Sequence, residues 1–116
     1  MIDVTPAQRE LIRQLLQQHV PRCEVRAFGS RANGKAKKHS DLDLVVVGKQ
    51  KLPRQTVYGL AEDFRESDLP FRVDVLDWHA ISPEFRKVIE KQYVVVQKAG
   101  NGESRVCVAS PSRSQR

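Results

Sequence analysis

Two short motifs in one stretch carry the chemistry this chain could do. Phe28 to Val47 reads FGSRANGKAKKHSDLDLVVV, in which Gly29-Ser30 closes one strand-like run and Asp41-Leu42-Asp43 opens another. Side chains alternate faces along a strand, so Asp41 and Asp43 point the same way, roughly 6.5 Å apart along the backbone at about 3.3 Å per residue. Two carboxylates converging from the start of a buried strand suit a hard, oxygen-seeking divalent cation such as Mg²⁺, which also draws ligands from substrate phosphates. Gly29-Ser30 offers the other half. Glycine lets a phosphate approach the backbone closely, and a helix starting at Ser30 would aim free N–H groups at the anion. An arbitrary Asp-x-Asp is more simply a solvated strand entrance with an Asx-type turn.

The elements that must position these residues follow from periodicity. Thr5-Pro6-Ala7-Gln8 is a helix start, with Thr5 as N-cap, Pro6 at the first helical position and Gln8 completing a capping box. Ala7, Leu11, Ile12, Leu15, Leu16 and Val20 then form one apolar stripe, and Pro21 stops the helix. A first strand runs from Cys23 to Phe28, with Cys23, Val25 and Ala27 on one face; Cys23 reads as a small buried hydrophobe. Ser30-Arg31-Ala32 begins a short helix ended by Asn33-Gly34. The second strand, Asp41 to Val47, is apolar on both faces after Asp43 and is expected to be covered on both sides. Pro53 opens a second long helix to about Ser67, with Val57, Leu60, Ala61 and Phe64 as its core stripe. Phe71 to Leu76 is the third strand, with Phe71, Val73 and Val75 on one face and Arg72, Asp74 and Leu76 on the other. Ser82-Pro83-Glu84 starts a last helix that buries Phe85, Val88 and Ile89, and Tyr93 to Val96 is a short fourth strand.

Asp74 is the informative residue of the third strand. A charge there is expensive to bury unless it is paired or bound to metal. Arg26 or Arg72 could serve as an ion-pair partner, and Asp77, at the strand's end, is more simply a turn residue. Trp78 and Tyr93 read as core or partner-facing aromatics, with stacking on a base as the other option.

Bulk properties bound the class. At 116 residues, with 40% hydrophobic and 29% charged residues, the chain is expected to be one globular domain with a single core. No apolar run is long enough for a membrane span and no secretory signal is visible, so the expected location is cytoplasmic and no membrane partner is expected. Cys23 and Cys107 are too few for a disulfide framework or a zinc site. The net charge of +6 fits a nucleic-acid partner, a phosphate-rich substrate or a solvated surface. Lys35, Lys37 and Lys38 fall between the halves of the motif, where they either attract a polyphosphate or simply solvate a loop; His39 reads as an exposed loop residue. Aromatics are sparse and not interleaved with basic residues, which argues against stable nucleic-acid binding. Residues 1–98 form the expected domain. Residues 99–116 are polar and rich in Ser and Arg, the composition of a disordered tail, in which Val106-Cys107-Val108 could make a brief strand.

Gly-Ser, ten residues (Arg31 to Ser40) and Asp-x-Asp resembles the signature of the nucleotidyltransferase superfamily that includes DNA polymerase β. The small chain is similar to the minimal nucleotidyltransferases, bacterial proteins often encoded beside a helical partner, some of which act as antitoxins. The resemblance covers roughly residues 5 to 97. It implies an α/β (α+β) fold, a single nucleotidyltransferase domain with a small mixed sheet of about four strands and helices packed against it. It also implies that Asp74 supplies a third carboxylate, beside the strand of Asp41 and Asp43. Gly29 and Ser30 are then expected to hold the phosphates of a nucleoside triphosphate such as ATP. Asp41, Asp43 and Asp74 are expected to hold Mg²⁺, as two ions about 3.5–4 Å apart. Larger members close the cleft with a helical region that this chain does not show, so the wall is expected from a helical HEPN-type partner or from a second copy of this chain. In the antitoxin branch the reaction is AMP transfer from ATP to a tyrosine of the partner toxin. A non-catalytic module that neutralises a partner by contact, and transfer to a small molecule, are the alternatives.

Overall fold

The computed structural model describes residue 2, residues 4–34 and residues 40–99. Lys35, Lys37, Lys38, His39 and the tail beyond Ala99, with its Val106-Cys107-Val108, lie outside the described residues. Helix α1 (Pro6–His19) is followed by β1 (Glu24–Phe28), the single turn α2 (Ser30–Asn33), β2 (Leu42–Val47), α3 (Arg54–Arg65) and β3 (Val73–Asp77). A 3₁₀ turn (Trp78–Ala80), α4 (Pro83–Lys91) and β4 (Val94–Gln97) complete the order.

Among the described residues the expected helices and the four expected strands are present, with strand ends displaced by one or two residues. Backbone hydrogen bonds set those ends, and side-chain type does not reveal them. The Cys23 N–H, for example, donates to Val20 O at 3.2 Å, which places Cys23 in the turn before β1. The α1 start is as expected: Thr5 Oγ1 accepts from the Gln8 N–H at 3.1 Å and Gln8 Oε1 accepts from the Thr5 N–H at 2.9 Å. Such a cap contributes about 1 kcal/mol. At α3, Pro53 stands at the cap itself and makes no side-chain cap bond.

The sheet order is β3-β2-β1-β4. β1 pairs antiparallel with β2 and with β4, while β2 and β3 run parallel, joined through α3. One face of the sheet holds the core. Val25 and Ala27 of β1, with Leu42, Leu44 and Val46 of β2, pack there against Ile12, Leu16, Leu60 and Phe64 of α1 and α3. The opposite face of β2 carries Asp43 and Val45, and Val45 too is fully buried, so β2 is covered on both sides. Two expected core residues depart from the pattern. Ala7 is exposed at the first turn of α1, and Val88 is 55% exposed because α4 buries Ile89 instead.

Buried Gln97 ties the end of β4 back to the turn between α1 and β1. Its Nε2 donates to Val20 O at 2.7 Å and Cys23 O at 2.9 Å, and its Oε1 accepts from Gln17 Nε2 at 3.2 Å. Gln97→Ala removes the Nε2 donor from both carbonyls, of which Val20 O keeps the Cys23 N–H, and is expected to cost about 1 kcal/mol, seen as a lower urea midpoint with an unchanged m-value.

Candidate active site

The corner and the carboxylates are brought together by strand pairing. Antiparallel pairing sets Phe28 of β1 opposite Asp43 of β2. The next residue, Gly29, turns the chain out of the sheet with φ 81°, a conformation that side chains disfavour. A Cβ built at Gly29 would overlap the Asp43 Oδ2. The absent side chain is therefore what lets the corner lie against the carboxylate. Ser30 heads α2 one residue on, and Gly34 closes that turn in the left-handed conformation.

Parallel pairing of β2 with β3 places Asp74 on the same rung as Asp43. Adjacent strands lie about 4.8 Å apart, so these two carboxylates are near neighbours on one face. Asp41 is exposed just before β2, and its charge acts on Asp43. Burial, and then the charges of Asp74 and Asp41, raise the Asp43 pKa from its ordinary value, while Arg72 pulls the other way. Arg72 Nε donates to Asp74 Oδ1 at 3.1 Å, so the ion pair considered for Asp74 does form. Asp74, Asp41 and Asp43 together raise the Arg72 pKa, Asp74 most. The pair is open to water, with the Arg72 side chain 73% exposed, and holds Asp74 only weakly.

The other candidates go elsewhere. Asp77 is buried and caps the 3₁₀ turn, its Oδ1 accepting from the His79 N–H at 3.0 Å and its Oδ2 from the Leu52 N–H at 2.8 Å. Arg26 pairs with Glu24 and lies between the rings of Trp78 (5.1 Å to the centroid) and Tyr93 (4.5 Å), so both aromatics face a cation of this chain. Sequence reasoning missed Arg31, which is 6% exposed. It donates from Nε to Ser40 O at 2.8 Å and lies 3.9 Å from the Phe71 ring centroid. Nothing in the charge pattern separates it from the other 19 basic residues of a chain with 20.

Among the described residues no group of three or more His, Cys, Asp or Glu is gathered so as to hold a metal by itself. The donor set here is carboxylate oxygen alone, beside a corner that leaves room for an anion. It fits a hard cation that takes part of its shell from bound phosphates, and does not fit an all-protein cage or a zinc site.

A small mixed sheet with a glycine corner pressed against paired carboxylates is the frame of a nucleotidyl-transfer enzyme. The chain belongs to the nucleotidyltransferase domain family, which matches residues 9–96. Nucleotidyltransferases of this family generally use a divalent metal. The chain is 47% identical over 97 residues (84% of this chain, 85% of the relative) to a Haemophilus influenzae protein named "Probable protein adenylyltransferase MntA". Its fold is similar to that in a crystal structure of a toxin-antitoxin with AMP-PNP, at TM-score 0.66 and 24% identity, covering 78% of this chain and 73% of that one. It is also similar to a chain in the structure of a tri-AMPylated Shewanella oneidensis HEPN toxin in complex with MNT antitoxin, at TM-score 0.61 and 22% identity, covering 79% and 71%. No helix among the described residues is long and apolar enough to cross a membrane.

Two outcomes are expected from this geometry. Gly29→Ala combines left-handed strain with a clash on Asp43 and should destabilise by about 1–3 kcal/mol by chemical denaturation. Because the Asp43 pKa is raised in the fold, ionising it opposes folding, and the stability its protonated form contributes is lost as pH rises through that raised value. Asp43→Asn should therefore raise the Tm of the metal-free protein at pH 7 by about 2 °C. That gain should shrink as pH falls through the carboxylate range, in paired melting curves.

Proposed function

We propose that this protein is a magnesium-dependent nucleotidyltransferase that moves AMP from ATP to a hydroxyl, with a tyrosine of a helical HEPN-type toxin as the acceptor. In that role it is an antitoxin working in the cytoplasm. The observation that carries the reading is the rung shared by Asp43 and Asp74, with Gly29 lying directly against it. The likeness to the protein named as an adenylyltransferase supports AMP as the group moved. The names of the fold relatives, a toxin-antitoxin with AMP-PNP and an AMPylated toxin with its antitoxin, are consistent with the partner class.

In this reading Gly29 and Ser30 hold the β- and γ-phosphates, Ser30 through its hydroxyl and backbone N–H. Asp41, Asp43 and Asp74 hold the metal, with two ions as the finer expectation. When bound, the metal neutralises charge on the triphosphate and lowers the pKa of the attacking hydroxyl. Asp74, at the edge of the carboxylate group, orients the acceptor hydroxyl and helps remove its proton. The hydroxyl oxygen bonds to the α-phosphorus, the bond from that phosphorus to the bridging oxygen breaks, and pyrophosphate leaves. The chain's work is alignment and charge stabilisation.

The Arg72–Asp74 pair favours one other reading, a module that neutralises its partner by contact and keeps Asp74 for an ion pair alone. Incubation with the protein encoded beside it, Mg²⁺ and labelled ATP separates the two. Under the enzymatic reading the wild type labels the partner, and Asp41→Asn/Asp43→Asn lowers the rate about a thousandfold, the several kcal/mol that metal-bound charge supplies. Partner inhibition undiminished in the double variant, with no label on either protein, would establish the contact module instead. Label appearing on a small alcohol without any partner would reassign the acceptor.

A further inference from the structure

Arg31 touches each segment that leads to the carboxylates. It sits on α2, one residue after Ser30. Its Nε–H donates to the carbonyl of Ser40, the residue before Asp41. Its guanidinium lies 3.9 Å from the centroid of Phe71, which is buried two residues before β3. Beside Phe71, Arg72 O accepts from the Leu42 N–H at 2.8 Å, the first bond between the approaches to β2 and β3. One buried side chain therefore spans the corner, the entrance to Asp41 and Asp43, and the entrance to Asp74.

A guanidinium is costly to bury unless it is hydrogen-bonded and well packed, and the Ser40 and Phe71 contacts serve those two needs. They demand different things of it. The Ser40 bond needs a directional N–H, and the Phe71 contact needs a flat cation lying over a ring. Lysine can supply the first in part. Methionine can pack on the ring but leaves the Ser40 carbonyl without that donor.

We propose that Arg31 is a positioning residue that fixes the separation between the Gly29-Ser30 corner and the three carboxylates, so that one magnesium-bound triphosphate can reach both. The proposal rests on the nucleotidyl-transfer reading and names no contact of Arg31 with substrate. A displacement of an ångström between corner and carboxylates would act on metal-dependent binding and on turnover.

The test uses the full chain with Arg31→Met and Arg31→Lys. Three quantities are measured: the Mg²⁺ concentration that half-saturates binding of a non-hydrolysable ATP analogue, the Tm, and kcat and KM for label transfer. Arg31→Met should stay folded, need about tenfold more Mg²⁺ and lose about tenfold in kcat, with KM for ATP at saturating Mg²⁺ changed less than threefold; Arg31→Lys should recover part of the loss. A folded Arg31→Met with wild-type Mg²⁺ dependence and kcat overturns the proposal. If Arg31→Met does not fold, Phe71→Leu, which removes the ring beneath the guanidinium, should shift the Mg²⁺ requirement about threefold, and an unshifted value overturns it. A wild type that binds the analogue with Mg²⁺ but labels nothing defeats the transferase reading while the Mg²⁺ titration still decides on Arg31. A wild type without Mg²⁺-dependent binding overturns both.

Discussion

Two carboxylates fixed on one rung of a parallel strand pair repel each other, and much of the surrounding structure answers to that repulsion. Asp43 and Asp74 cannot separate by sliding, because the β2–β3 register is locked from the other face of the sheet. A slip of one residue would turn Leu42, Leu44 and Val46 away from α1 and α3 and bring the acidic face into the core. The apolar packing is what makes an unfavourable charge arrangement persist. Such an arrangement is a standing attraction for a cation, and Arg72, paired with Asp74 at the surface, answers it only partly.

Gly29 belongs to the same constraint. The position beside Asp43 could have been filled by a side chain that covered the carboxylate. Instead the chain turns there through a left-handed glycine, so the carboxylate is approached by bare backbone. The corner leads straight from the last pair of the β1–β2 ladder, Phe28 with Asp43, into the turn α2. The pairing of β1 with β2 thus sets Gly29 against Asp43.

What the sequence disclosed and what it withheld divide along the range of the interactions. The capping box at Thr5, the alternation in β2 and the glycine corner depend on residues a few positions apart, and all were legible. The shared rung of Asp43 with Asp74 follows from the family resemblance, which sets β3 beside β2, and not from the residues of either strand. Gln97, Arg26 and Arg31 were not legible. Gln97 acts across 77 and 74 residues, on Val20 and Cys23. Arg26 needs Trp78 and Tyr93 folded onto it, and Arg31 needs Ser40 and Phe71. Single polar residues whose partners are distant carry no period and no local motif. Ala7 and Val88 show the converse: apolar periodicity marks a face, but the ends of a short helix can run past whatever the face packs on.

β3 offers two aspartates three residues apart, and their surroundings decide between them on physical grounds. Asp77 has both carboxylate oxygens engaged by backbone N–H groups inside the fold, and removing either bond would leave a buried donor unmatched. Its capacity is spent on holding the 3₁₀ turn and the approach to α3. Asp74 pairs with an arginine whose side chain is mostly in water, and it stands level with Asp43. A solvated ion pair is readily exchanged for another cation, whereas a buried pair of backbone bonds is not. Of the two, Asp74 is the carboxylate whose partner can be exchanged at little cost, while Asp77 is committed to the fold.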